Sequence, residues 1–210
     1  MIKINLYDPL FDLLGSSTNG LMTYTYEDVV KLTGHSCPTA SGAFLMVTKG
    51  LEALYGDETP LRGGVKAIVQ GKLGDGVVGV ISSVVSFITG ATDISGFHGL
   101  GGSYDRRGLL SYDENLDAQM LLQRVDTGKS VKITYNPQLV PPAPEMQQLM
   151  QMVLSGNADE KIKKDFQDVW QGRVQNILAA FDTNANLVTT HCPRTYCQTK
   201  RQRQRGLAET

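Results

Sequence analysis

The heptapeptide 33–39, Thr-Gly-His-Ser-Cys-Pro-Thr, constrains the fold of this chain more than any other stretch. It places one of three histidines, His35, two residues before one of three cysteines, Cys37. Proline favours the first position of a helix and holds the residue before it in an extended conformation. Because Pro38 follows Cys37 directly, the segment predicts an extended approach to a helix whose N-terminus lies next to the thiol.

The apolar periodicity of the chain outlines an α+β fold. Apolar residues recur at three- and four-residue spacing from Ala40 to Leu54, which predicts a long helix with one buried face. The predicted strands cover residues 65–70, 108–112, 118–125 and 130–135, and further helices are expected over 25–32, 145–154 and 159–181. The remaining stretches are interpreted as a lead-in segment over 1–22, a glycine-dense loop over 90–108 and a proline-rich linker over 137–144.

An imidazole and a thiol close to a helix N-terminus leave three interpretations of His35 and Cys37. The positive end of a helix stabilises a thiolate, and a thiolate with an imidazole supplies two ligands for zinc or another transition metal. The same pair could act as a nucleophile, Cys37, with His35 as its base. The third interpretation is a buried structural cysteine beside a hydrogen-bonded histidine. A two-residue motif alone does not distinguish among them.

Bulk composition argues against several classes of protein. The 210 residues carry a net charge of -1, so no overall positive field attracts nucleic acid or a membrane surface. No apolar run reaches the length of a transmembrane helix, and the start of the sequence has no signal-peptide pattern. Three cysteines are an odd number and cannot form a disulfide framework. A reducing compartment, by default the cytoplasm, is therefore expected.

The C-terminal end carries the remaining two cysteines and a local positive charge. Cys192 and Cys197 follow His191, and four of the six residues 200–205 are Lys or Arg. A single loosely spaced cysteine pair cannot form a closed four-ligand zinc site, so one interpretation has this segment folding back to complete a site begun at Cys37. Idle thiols or a tail disulfide are the alternative. The basic residues indicate a solvated terminus, or a segment that binds nucleic acid or an acidic partner.

The order of these motifs resembles the FmdE-like family, which is named after a component of formylmethanofuran dehydrogenase. Residues 34–38, Gly-His-Ser-Cys-Pro, precede the long helix. Residues 89–92, Thr-Gly-Ala-Thr, follow an apolar helix, and residues 126–129, Asp-Thr-Gly-Lys, precede a strand. The likeness extends over residues 25–136.

The resemblance implies an α+β fold with helices packed on an antiparallel or mixed sheet, a bound metal that is usually zinc, and a homodimer. His35 and Cys37 match the ligands of the family. Other His and Cys positions of the family are Thr33 and Ala91 in this chain. The candidates for the remaining metal ligands are His98, Cys192 and Cys197. The expected units are an FmdE-like domain over 1–136, a C-terminal helical extension over 137–187 and a Cys- and His-containing basic tail over 188–210.

Three functional hypotheses follow. The first is a zinc-binding or other transition-metal-binding protein, in which an open coordination position permits chemistry on a small molecule. The second is a non-catalytic accessory or assembly subunit of a metalloenzyme, which binds a protein partner through the C-terminal helices and the basic tail. The third is a thiol enzyme with Cys37 as catalytic nucleophile. Whether the protein is an enzyme stays open at this point.

Overall fold

A mixed five-stranded sheet covered on one face by two helices forms the centre of the protein, as the computed structural model of residues 1–193 shows. The strands are β1 (Lys3–Tyr7), β2 (Leu21–Thr25), β3 (Val65–Gln70), β4 (His98–Leu100), β5 (Ser103–Asp105), β6 (Leu110–Asp113), β7 (Met120–Arg124), β8 (Ser130–Tyr135) and β9 (Val188–His191). The helices are α1 (Pro9–Leu13), α2 (Tyr26–Thr33), α3 (Pro38–Tyr55), α4 (Val78–Thr89), α5 (Met146–Leu154) and α6 (Glu160–Ala180). The predicted α+β class is confirmed.

The main sheet has the strand order β6-β3-β7-β8-β9. The pairing of β3 with β6 is parallel, with Ala67 opposite Leu110, and the other three pairings are antiparallel. A parallel pair requires a crossover, and α4 lies in the connection between β3 and β6. Two small antiparallel sheets, β1-β2 and β4-β5, complete the strand set.

Helix α3 lies along β8 and runs in the opposite direction. At its start, Tyr135 Oη donates a hydrogen bond of 3.2 Å to the Pro38 carbonyl oxygen. At its end, Lys129 Nζ donates hydrogen bonds of 2.8 Å to the carbonyl oxygens of Ala53 and Leu54. The N-terminus of α3 therefore meets the C-terminal end of β8, and this alignment determines which side chains can reach the helix entry.

The C-terminal extension packs on the core through α6. Val174 and Ile177 are buried, and Lys49 Nζ of α3 lies 5.5 Å from the ring centroid of Phe181. Arg173 Nε donates a hydrogen bond of 3.0 Å to the Val140 carbonyl oxygen, which joins α6 to the linker before α5. The extension is thereby attached to the same helix that Cys37 precedes.

Three segments contain regular structure that the sequence patterns did not predict. The lead-in segment forms β1, α1 and β2, and the glycine-dense loop contains the hairpin β4-β5. Residues 188–191, assigned above to the tail, form β9 and pair with β8. Within residues 1–193, no helix combines the length and the apolar character needed to span a membrane.

Candidate functional site

The segment between α2 and α3 adopts the predicted extended approach to a helix. Gly34 ends α2 in a left-handed conformation with φ of 72°, which glycine adopts without steric cost. Cys37 is the N-cap of α3, with φ of -149° and ψ of 165°, and Pro38 occupies the first turn. Residues 35–37 thus form a three-residue bridge between α2 and α3. Gly34 fixes one end of this bridge and Pro38 fixes the other.

The imidazole of His35 is exposed, and its orientation is fixed by Thr33. His35 Nδ1 lies 2.9 Å from the Thr33 carbonyl oxygen. Since a carbonyl oxygen only accepts, this hydrogen bond requires the proton on Nδ1, so in the neutral imidazole the free lone pair is on Nε2. The Thr33 hydroxyl lies 2.8 Å from the His35 carbonyl oxygen and 2.9 Å from that of Val29, so it ties the bridge back to α2.

Cys37 is buried, with 8% of the residue exposed, and it belongs to the hydrophobic core. Its Sγ accepts a hydrogen bond of 3.3 Å from the Ala40 N–H. The N–H groups in the first turn of a helix have no partner within the helix and carry partial positive charge. The sulfur therefore caps α3 as a hydrogen-bond acceptor.

Hydroxyl groups surround the inner side of this helix entry. Tyr26 Oη lies 3.0 Å from Ser36 Oγ, and Ser41 Oγ donates to the Cys37 carbonyl oxygen at 3.2 Å. Burial raises the pKa of the Tyr26 hydroxyl and raises that of Tyr135 to about 12, so both phenols stay protonated. These hydroxyl groups hydrogen-bond to the Ser36 side chain and to the Cys37 carbonyl oxygen, so the polar groups next to the sulfur have partners.

Helix α6 closes the outer side of the bridge. Trp170 Nε1 donates a hydrogen bond of 2.8 Å to the Ser36 carbonyl oxygen, and Gln171 Nε2 lies 3.4 Å from the same oxygen. Sequence reasoning did not assign Trp170, Thr33 or Tyr135 to the site. Trp170 is the single tryptophan of the chain, but its partner is 134 residues away and no local pattern indicates it.

Neither of the two pairings that the sequence suggested for His35 and Cys37 is complete within residues 1–193. No hydrogen bond joins the imidazole to the thiol, although a nucleophile and its base require such contact. In this part of the chain no three His, Cys, Asp or Glu side chains come close enough together to hold a metal ion. Any metal bound by His35 and Cys37 therefore takes its other ligands from outside residues 1–193 of the same chain.

His98, a predicted third ligand, lies on a separate hairpin. It is exposed in β4 and pairs with Asp105 of β5. The described part of a single chain does not bring it into a three-ligand group with His35 and Cys37.

The structure separates Cys192 from Cys37, contrary to the expectation that the C-terminal segment folds back onto the site. Strand β9 carries the chain from Tyr135 toward the start of β8, and Cys192 Sγ lies 3.9 Å from the Ser130 carbonyl oxygen. Ser130 lies near the end of α3, whereas Cys37 caps its start, and 16 residues of helix span about 24 Å. Cys197, the other predicted ligand, lies outside the described residues.

The sequence was also compared with known proteins. No protein-family model matches the chain, and no curated protein matches it. The resemblance to the FmdE-like family therefore stays a prediction.

Proposed function

We propose that the protein binds a transition metal through His35 Nε2 and Cys37 Sγ. The hydrogen bond of 2.9 Å between His35 Nδ1 and the Thr33 carbonyl oxygen carries this proposal. Metal-ligating histidines characteristically donate their second ring N–H to a carbonyl or carboxylate oxygen, which fixes both the tautomer and the ring orientation. An exposed imidazole without this support would rotate freely and favour no tautomer.

Zinc is the ion that suits this donor set best. Imidazole nitrogen and thiolate sulfur are its usual ligands, and tetrahedral coordination accepts them in any combination. The Ala40 N–H stabilises the charged sulfur that the metal requires. When bound with one open position, zinc supplies Lewis-acid activation of a small substrate. A thiolate ligand also needs a reducing environment, which supports a cytoplasmic location.

A second copy of the chain is the proposed source of further ligands. The hairpin that carries His98 and the segment just before it expose three apolar side chains, Ile94 at 92%, Phe97 at 41% and Leu100 at 51%. Exposed apolar groups close together favour a protein interface. A homodimer that buries this hairpin against the α2–α3 bridge of its partner would add an imidazole to the two donors described above. Membership of the FmdE-like family is part of the same proposal.

Replacement of single cysteines tests the metal site. Serine is a strong N-cap residue, so Cys37→Ser retains the cap of α3 while removing the thiolate. Cys192→Ser is the matched control, because it makes the same change at the opposite end of β8. We expect purified wild-type protein and Cys192→Ser to bind zinc stoichiometrically, and Cys37→Ser to lose that binding. Cobalt substitution should give a thiolate-to-cobalt absorption band in the first two proteins only.

The source of the remaining ligands is tested separately. His98→Ala should weaken zinc binding, and zinc should promote a dimer in light scattering of the wild type. If Cys197→Ser weakens binding instead while His98→Ala does not, the tail rather than a second copy completes the site. Equal zinc content in wild type and Cys37→Ser would overturn the proposed metal site.

A further inference from the structure

A buried ion-pair cluster lies where the N-terminal strands meet the core. Asp8 is 3% exposed and interacts with two guanidinium groups, Arg62 Nη1 at 3.0 Å and Arg106 Nη2 at 2.8 Å. Asp8 Oδ1 also accepts the N–H groups of Leu10 and Phe11 at the start of α1. Burial raises the pKa of the Asp8 carboxyl, but the hydrogen bond from Arg62 and the charge of Arg106 outweigh it and lower the pKa overall. One carboxylate thus faces two cations.

The two arginines differ in how many of their donors are used. Arg62 donates to Asp8 and also to the carbonyl oxygens of Phe87 and Ile88, at 3.0 and 3.2 Å. Arg106 is 5% exposed and makes one side-chain hydrogen bond within residues 1–193, the one to Asp8. A guanidinium has five N–H donors. Within residues 1–193, Tyr55 Oη is the one buried side-chain polar atom without a hydrogen-bond partner, so the other Arg106 N–H groups keep some contact with solvent and a ligand could reach them.

A cavity of about 220 Å³ lies against these unused donors. Both arginines line it, and so do Gly63, Pro9 and Leu61. The guanidinium of Arg106 lies directly on Gly63, where a Cβ atom would come within 1.4 Å of Nη1. A glycine at this position lets the charged group reach the cavity wall.

Tyr104 forms another part of the cavity wall, in an unusual backbone conformation. Its φ is 63°, and it is the one non-glycine residue with positive φ within residues 1–193. A tyrosine in this region stores strain, which surrounding structure must sustain and which often accompanies a functional site. Together with Pro9 and Leu61, Tyr104 supplies the aromatic and apolar part of the cavity wall.

The other charges near the cavity are already neutralised. Asp105 lines the cavity, but Arg107 holds it through hydrogen bonds of 3.0 and 2.7 Å and keeps the pKa of its carboxyl at about 2. Asp12 accepts a hydrogen bond of 2.7 Å from Tyr7 Oη and is not among the residues that line the cavity. The surplus positive charge at the cavity is therefore that of Arg106.

We propose that this cavity binds a small organic carboxylate. Its carboxylate oxygens accept the unused N–H groups of Arg106, and its apolar part packs on Pro9, Leu61 and Tyr104. A guanidinium matches the planar carboxylate with two parallel hydrogen bonds, and a single negative charge balances the surplus. A phosphate dianion would overcompensate it. The site shares no residue with His35 and Cys37, so it is independent of the proposed metal site.

Calorimetric titration of the full chain at neutral pH and low ionic strength tests the proposal, with benzoate, acetate and inorganic phosphate as probes. We expect saturable one-to-one binding of benzoate, weaker binding of acetate and still weaker binding of phosphate. Arg106→Met should reduce the benzoate affinity by about tenfold or more, equivalent to about 1.4 kcal/mol. Lys66→Gln is the control, since it removes one positive charge at an exposed position that does not line the cavity, and it should leave the affinity unchanged.

Tyr104→Gly provides a second variant that does not disturb the ion-pair cluster. Glycine relieves the positive-φ strain, so this protein should fold at least as stably as the wild type, and it should lose the preference for benzoate over acetate. The proposal is overturned if neither benzoate nor acetate binds at concentrations on the order of 10 mM. It is equally overturned if phosphate binds more tightly than benzoate, or if Arg106→Met and Lys66→Gln bind benzoate alike.

Discussion

Trp170 Nε1 lies 2.8 Å from the carbonyl oxygen of Ser36, the residue between His35 and Cys37. This hydrogen bond joins the middle of α6 to the bridge that leads into α3. Within residues 1–193 the bridge pairs with no strand, so its geometry depends on hydrogen bonds with side chains of α2 and α6. The C-terminal extension is thereby a structural component of the candidate site.

Removal of this donor should loosen the bridge. We expect Trp170→Phe to lower the free energy of unfolding by about 1 kcal/mol or more, the usual contribution of one hydrogen bond, and to weaken zinc binding. Gln171→Ala is the control, because its amide lies 3.4 Å from the same oxygen and contributes less. Urea denaturation and zinc titration of the two variants measure these effects. Equal stability of Trp170→Phe and wild type would show that the bridge does not depend on α6.

Two glycines in helices should respond to alanine in opposite directions. A Cβ atom at Gly42 would lie 2.2 Å from Tyr135 Cε1, so Gly42→Ala must displace the ring that donates to the Pro38 carbonyl oxygen. Overpacking of this kind lowers stability by about 1–3 kcal/mol. Gly172 in α6 has no atom within 4 Å of the corresponding position, so Gly172→Ala should raise stability by about 0.5–1 kcal/mol. Thermal unfolding of both variants tests the pair, and a stabilised Gly42→Ala would contradict the close approach of Tyr135.

The Asp8 cluster should make stability sensitive to acid. Burial raises the pKa of Asp8, but Arg62 and Arg106 lower it overall below its ordinary value of 3.8. A lowered folded-state pKa means that the stabilisation is complete above the unfolded-state value and is lost as the pH falls through the folded-state value. Asp8→Asn keeps the helix cap but leaves the buried Arg106 and the half-buried Arg62 without their carboxylate, so we expect a loss of about 3 kcal/mol at neutral pH.

Unfolding of wild type and Asp8→Asn across the acid range checks this prediction. The difference in unfolding free energy should stay constant above pH 4 and shrink as the pH falls below about 3.8. A difference that grows toward low pH would contradict it. Measuring the difference between two proteins cancels the contributions of other carboxylates with lowered pKa values, such as Asp126.

Tyr135 should make stability sensitive to alkali. Burial raises the pKa of its hydroxyl from 10.0 to about 12, which means that the folded state favours the neutral phenol. The corresponding stabilisation is fully present below pH 10 and is lost as the pH rises toward 12. Tyr135→Phe removes the ionisable group and the hydrogen bond to Pro38, so it should be less stable by about 1 kcal/mol at neutral pH.

The alkaline arm of the stability profile distinguishes this effect from a general loss of packing. Between pH 10 and 12, the stability of Tyr135→Phe should decline less steeply than that of the wild type. A phenolate absorbance titration of the two proteins should assign the difference to one late-titrating tyrosine. Parallel decline of both proteins would show that the Tyr135 hydroxyl is not buried as described.

Local sequence determined those elements that depend on neighbouring residues. Pro38 after Cys37 specified where α3 begins, and the spacing of its apolar residues specified the buried face, because both effects act within one or two helical turns. The alternation in β3 and β8 likewise requires only a buried face and an exposed one.

Tertiary structure alone decided which residues meet at the site. The polar partners of the bridge, Trp170 and Tyr135, are distant in sequence, and no periodicity encodes such contacts. The direction of β9 was equally undetermined, yet it carries Cys192 to the far end of α3 from Cys37. The Asp8–Arg106 pair joins residues 98 positions apart, and its surplus charge becomes apparent only when burial removes the screening of water. Sequence determined the helix entry and its two donors, whereas packing decided their surroundings, because contact energy depends on distance in space rather than along the chain.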